Sequence, residues 1–259
     1  LFQNRVTSSA IIDHFALGTD DLIHDMLKKE LENPMNKKIL QKKRFFEIFS
    51  TLTAPIHQSF MNKAEIELLK IAIHNRKGDL QHHQKRYFWI NNNYAVARVL
   101  TTQYFQKQIL TLKKSGRKNL QEMLQQMQQA PRINKKNKKA LLKILKLSCL
   151  LKNLLTISED FTWWQDQRKK STFMNIHIGL VMLRELSRRV HYSIDTLKYA
   201  LPEEIPSILL QKKPKQNELF NRKKASLFIM RRNGHTILTA TAAKKMNQII
   251  LGKKSLLDI

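Results

Sequence analysis

Apolar side chains recur at three- and four-residue intervals through most of the first two hundred positions, and few breakers interrupt them, since the 259 residues hold only 6 Gly and 6 Pro. Such spacing lines one face of a helix, whereas a half-buried strand needs strict alternation. Scarce Gly and Pro also argue against a turn-rich sandwich or an enzyme built on glycine loops. The chain therefore reads as mainly α, a multi-helix bundle-like scaffold. Its 42% hydrophobic residues are enough for a real core, in one large domain or two small ones.

Asp20 and Asp21 open a first helix with Leu22, Ile23, Met26, Leu27 and Leu31 on one face, and Asn33-Pro34 closes it. A second spans Asn36 to Thr51 with Ile39, Leu40, Phe46 and Phe49. Past Pro55, a third repeats Phe60, Ala64, Leu68, Leu69 and Ala72 before Lys77-Gly78 stops it. One helix begins near Thr101; Ser115-Gly116 separates it from another over Asn119 to Gln129, which Ala130-Pro131 ends. From Lys135 to Ile157 the polar positions are mostly Lys, while Leu141, Leu142, Ile144, Leu145, Cys149 and Leu150 form a broad apolar stripe. A stripe wider than half the circumference suits a core helix with lysines outside better than a membrane-surface or calmodulin-target helix. Ser158-Glu159-Asp160 then starts the longest helix, running to Val190, with Gly179 placed for close helix approach.

Residues 1–192 thus form a helical domain and 193–259 a small α+β subdomain. Leu197 to Leu201 reads as a short strand, and Pro202 as the first turn of a helix carrying Glu203, Glu204, Ile205 and Leu209. Two apolar runs around Asn233-Gly234 make a β-hairpin over 227–238, its Asn-Gly supplying the positive φ angles of a type I′ turn. A last helix, Thr241 to Leu251, ends at Gly252.

The formal net charge is +27, and the excess is uneven. From Arg86 to Ile157 fifteen Lys and Arg face one acid, Glu122, a net +14 that predicts a cationic surface and weak polyanion binding. The single cysteine, Cys149, excludes an intrachain disulfide, fits a reducing, cytoplasmic compartment, and reads as a small buried hydrophobe in its apolar run. Lys146 and Lys152 interrupt the most hydrophobic stretch, so no membrane span is expected. A start at Leu1 gives the chain the look of a fragment or processed product.

No constellation carries catalysis. His82 and His83, adjacent on a helix, point about 100° apart and do not share a metal; no His-Glu-x-x-His or Cys-x-x-Cys occurs. Gly252-Lys253-Lys254-Ser255 lacks the glycine that a phosphate loop needs at Asn247. Glu203-Glu204 and Asp20-Asp21 sit at helix starts, where they complement the macrodipole. Catalytic, cofactor-binding and metal residues are therefore all expected to be none.

Three segments are distinctive: His82-His83-Gln84-Lys85-Arg86-Tyr87-Phe88-Trp89-Ile90-Asn91-Asn92-Asn93-Tyr94, Phe161-Thr162-Trp163-Trp164-Gln165-Asp166-Gln167-Arg168-Lys169-Lys170, and Asp195-Thr196-Leu197-Lys198-Tyr199-Ala200-Leu201-Pro202-Glu203-Glu204-Ile205. Their aromatics read as core anchors with basic groups reaching outward; the other reading is base stacking beside phosphate contacts. In order and spacing, from about Gly78 to Leu251, the segments resemble the helical region of the phosphoenolpyruvate synthase and pyruvate, phosphate dikinase family. That region lies between an ATP-grasp domain and a swivelling phosphohistidine domain. The resemblance implies a non-catalytic scaffold within an ATP-dependent phosphotransferase, with ATP, Mg and the phosphorylated histidine all outside this chain. His235 in Asn233-Gly234-His235-Thr236 and His14 lack the family's glycine-rich Ser-His motif and do not take that role. The strong positive charge departs from the family pattern and keeps a second expectation open, a basic helical module that binds nucleic acid or an anionic surface.

Overall fold

The computed structural model describes residues 18–40, 43–74, 78–93, 97–232 and 234–252. His14, Lys77, Tyr94, Asn233 and the Lys253-Lys254-Ser255 stretch lie outside the described residues. Helix α1 covers 18–31. Seven more precede the first short turn: α2 Pro34–Leu40, α3 Phe45–Thr53, α4 Phe60–His74, α5 Asp79–Tyr87, α6 Thr102–Lys113, α7 Arg117–Ile144 and α8 Cys149–Val190. Then come α9 Ile194–Leu197, a 3₁₀ turn Pro202–Glu204, α10 Ile205–Leu209, α11 Gln216–Lys224, strands β1 Ser226–Arg231 and β2 Gly234–Thr239, and α12 Ala240–Ile250. The architecture is mainly helical with a small C-terminal antiparallel hairpin. Among the described residues no helix is long and apolar enough to cross a membrane.

Two compact units divide inside α8, between His177 and Ile178, rather than at 192/193. The apolar positions at the end of α8, Leu186 and Val190, pack with Leu197, Ile208 and Leu219 and so belong to the C-terminal unit. The first unit holds two clusters. One gathers Phe60, Leu68 and Leu69 of α4, Tyr87 of α5, Trp89, Phe105 and Ile109 of α6, and Leu120 of α7. The other joins Ile23, Leu27 and Leu31 of α1, Ile48 and Leu52 of α3, Leu141 of α7, Leu145, and Leu151 and Leu155 of α8.

Several helix boundaries differ from the sequence expectation, and the two largest differences have a polar cause. Pro131 does not end a helix; α7 runs through it. Proline lacks the N–H that would bond the Met127 carbonyl four residues back. Gln58 donates its Nε2 to that carbonyl instead, and Asn134 Nδ2 bonds Pro55 O at 2.9 Å, so the α3–α4 loop satisfies the interrupted ladder.

Conversely, the basic stretch Lys135 to Ile157 is not one helix, and the longest helix starts at Cys149 rather than Ser158. Leu145 leaves the helical region with ψ 131. Asn36, fully buried, donates Nδ2 to Glu30 O at 2.9 Å and Lys146 O at 3.2 Å while its Oδ1 accepts Lys146 N–H at 2.9 Å. Glu30 accepts both the N–H and the hydroxyl of Ser148, whose Oγ also accepts Leu151 N–H at 3.2 Å. The break is thus held by groups about 110 positions away, as well as by its own serine cap.

Smaller corrections follow. The Asn36–Thr51 helix divides into α2 and α3, which buries Ile48 and Leu52 and leaves Phe46 74% exposed. Leu22 also faces out. Cys149, at the first turn of α8, is exposed rather than buried. Leu197 to Leu201 is not a strand: Ser193 caps α9 by accepting Thr196 N–H at 3.1 Å, and Leu197 is buried at its end. In the hairpin Arg231 pairs with Gly234, so Gly234 begins β2 instead of serving as the second turn residue; its partner in the expected turn, Asn233, is not described. A Cβ at Gly179 would meet nothing within 4 Å, so close approach does not account for that glycine.

Replacing Asn36 with Leu removes the bonds to the Lys146 N–H and carbonyl and leaves Glu30 O with only the Asn33 N–H, 3.3 Å away, while the side chain itself occupies a buried site. The expected cost is about 2–3 kcal/mol, read as a lower urea midpoint with helix content retained.

Candidate functional site

The two aromatic-basic segments meet at the start of α4. A helix N-terminus carries N–H groups with no intrahelical acceptor. Asp166 Oδ2 accepts one of them, Phe60 N–H, at 3.0 Å across 106 positions. Burial raises the Asp166 pKa, against the lowering effect of that bond and of Lys63, Lys169 and Lys170. Trp89, 2% exposed, lies 5.8 Å ring to ring from Phe60, and Phe173 meets Phe60 edge-on at 6.0 Å. Positions 166 and 173 are two turns apart on α8 and share a face. Asn92, also buried, donates Nδ2 to Phe173 O at 2.9 Å and accepts Arg98 N–H on Oδ1 at 2.7 Å.

His82 and His83 diverge. His82 Nδ1 lies 2.9 Å from Gly78 O near the surface. His83 is 1% exposed between Tyr87 and Phe105, each 4.8 Å away ring to ring, with Nδ1 3.5 Å from Glu67 Oε1. Desolvation holds its pKa below the usual value; nearby Glu67 opposes this and Arg86 adds to it. Glu67 itself bonds Arg86 Nη1 at 2.9 Å.

A cavity of about 240 Å³ opens beside this junction, lined by Pro55 and His57 of the α3–α4 loop, Lys138 of α7, and Glu159, Trp163 and Lys169 of α8. Its acids are already engaged: Lys138 Nζ meets Glu159 Oε2 at 2.6 Å, both largely buried, and Asp166 holds Phe60. His57, Ser59 and Ser158 also line the cavity, but the bonds of the two carboxylates go to Lys138, Phe60 N–H and Gln167 Nε2, an arrangement of fasteners rather than of a nucleophile and its relay. Among the described residues no group of three or more His, Cys, Asp or Glu is arranged to hold a metal.

The tryptophans split. Trp89 is a core anchor, but Trp163 and Trp164 are 39% and 50% exposed, with Phe161 5.6 Å from Trp164. The anchor reading therefore holds for the first segment and not for the two tryptophans of the second. Lys138 escaped the sequence reading. It sits four residues before Leu142 and three before Leu141, in register with the apolar stripe, and a lysine at such a position signals a buried acid partner.

In the second unit the third segment is fastened in a similar way. Glu204 forms a two-pronged pair with Arg222, 2.7 Å at each contact, and accepts Leu201 N–H at 2.8 Å. Arg222 also donates to Tyr199 O at 3.1 Å. Burial pushes the Glu204 carboxyl up, but Arg222 and the Leu201 N–H outweigh it and hold the pKa low. Glu204 is thus a fastener as well as a helix-start acid. Glu203 stays exposed, 4.0 Å from His235 Nε2.

Two outcomes are expected. Glu204→Gln leaves the mostly buried Arg222 without its counter-charge and destabilises the second unit by about 3 kcal/mol, read by hydrogen exchange of α11. For His83, the unfolded chain binds a proton near pH 6.5 that the folded chain refuses, so its contribution is full above about pH 6.5 and is lost as pH falls toward the lowered folded value. The melting temperature should drop between about pH 7 and 5, and His83→Gln should flatten that slope. No family model matches the chain, and no curated protein or solved structure matches it.

Proposed function

We propose that the chain is a non-catalytic helical scaffold within an ATP-dependent, cytoplasmic phosphotransferase resembling phosphoenolpyruvate synthase, lying between the nucleotide-binding and phosphohistidine domains. The supporting observation is the use made of the motif residues. Trp89, Asn92, Asp166 and Glu204 spend their hydrogen bonds and surface on holding helices together rather than on lining a reactive pocket. A rigid spacer between domains that exchange a phosphoryl group needs this kind of internal fastening and no chemistry of its own. ATP and Mg would be held by the flanking domains, which are the expected partners.

The exposure of Trp163 and Trp164 supports a second reading, a basic module that stacks nucleic-acid bases on α8. Incubation with radiolabelled ATP or phosphoenolpyruvate should leave the purified chain unlabelled, and the surrounding open reading frame should encode an ATP-grasp domain before it and a glycine-rich Ser-His motif after it. Stable labelling of His235 or any other residue would refute the scaffold assignment. Oligonucleotide binding should be weak, disappear as salt rises, and be indifferent to Trp164→Ala; a loss of about 1–3 kcal/mol in that variant would favour the second reading. Trp89→Ala is no probe of stacking, because it empties a core position.

A further inference from the structure

The outer face of α7 carries Arg132, Lys136, Lys139 and Lys143 at successive four-, three- and four-residue steps, all exposed. At about 1.5 Å rise per residue they form one row about 16 Å long, opposite the buried face of Leu141 and Lys138. Neighbouring like charges at this spacing repel one another. The fold treats its inward and outward cations differently. Lys138, turned inward, is given Glu159, whereas none of the four outer cations forms an ion pair with a described residue. Directly beside the row, Ile133 and Ile144 are 47% and 54% exposed, with Ala140 exposed between them.

We propose that this face of α7 docks an acidic amphipathic helix of a partner protein, its carboxylates along the cation row and its apolar side chains on Ile133 and Ile144. Charge complementarity selects an anionic partner, and the adjoining apolar strip selects a protein helix, since a phosphate backbone offers nothing to two isoleucines. An anionic bilayer fits less well: the outermost pole of the helix is cationic, and the apolar strip lies on its flank. The inference does not depend on the phosphotransferase reading.

The probe is a fluorescein-labelled peptide of about 20 residues with glutamates at four-three-four spacing beside a leucine stripe, titrated with the full chain at about 150 mM salt. It should bind about tenfold more tightly than a scrambled peptide of the same composition. Lys136→Glu, Lys139→Glu and Lys143→Glu together should abolish that preference with an unchanged melting curve. The milder triple Lys→Gln variant should weaken binding in the same direction, which keeps the test valid if the charge reversal fails to fold. Ile133→Ala with Ile144→Ala should reduce binding several-fold while leaving its salt dependence unchanged. Equal affinity for the striped and scrambled peptides would overturn the proposal. So would tighter binding of labelled oligouridine or of phosphatidylserine vesicles through the same lysines, which would reassign the surface to nucleic acid or membrane.

Discussion

The buried amide of Asn36 governs how the second core cluster of the first unit is assembled. Its two N–H groups and one oxygen meet the carbonyls of Glu30 and Lys146 and the Lys146 N–H, so one side chain ties the backbone of the α7–α8 break at Lys146 to the end of α1. Without those bonds the partly buried backbone groups of Lys146 would lack protein partners, and an uninterrupted helix would be the cheaper solution. Because the break exists, Leu141 and Leu145 can face Leu151 and Leu155 across it, and α1 and α3 can complete the cluster. Glu30 adds the cap on Ser148 from the same direction.

The same device recurs at three other places. Gln58 answers the carbonyl that Pro131 leaves open, Asp166 answers the first N–H of α4, and Asn92 joins the turn after α5 to α8. These are long-range side-chain bonds to backbone groups, and their net worth is modest individually, about 1 kcal/mol each. Their importance is directional. Apolar burial drives the helices together without choosing a register, and these bonds select one arrangement among many of similar burial. In the distinctive segments Asn92, Asp166 and Glu204 each make a side-chain bond to a backbone group.

Electrostatics divides between interior and surface. Inside, two cations have a fixed acid: Lys138 with Glu159, and Arg222 with Glu204. Such pairs are costly to break, because a lone buried charge has no compensation. Outside, the basic excess of the 86–157 stretch is largely uncompensated by acids on its own helices, which makes α7 beyond Pro131 a one-signed surface whose attraction is long-ranged and screened by salt.

The helical character of the chain, the apolar face of α4 through Phe60, Ala64, Leu68, Leu69 and Ala72, the Thr101 cap, the Gly116 divide and the β1–β2 hairpin were all legible in residue order, because each depends on local periodicity, a cap or a turn. The path of α7 through Pro131, the break at 145–148, the start of α8 at Cys149 and the splitting of 36–51 were not legible. Proline and serine are local signals of a stop or a start, but here Gln58, Asn36 and Glu30, distant in sequence, decided where the backbone hydrogen bonds were satisfied. The aromatic-basic composition of the segments was visible in residue order, but not which of their side chains turn inward. That Trp89 turns inward while Trp163 and Trp164 turn outward, and that Asp166 closes on Phe60, was decided only when the helices packed, since a side chain's partner across 106 positions is a property of the tertiary fold.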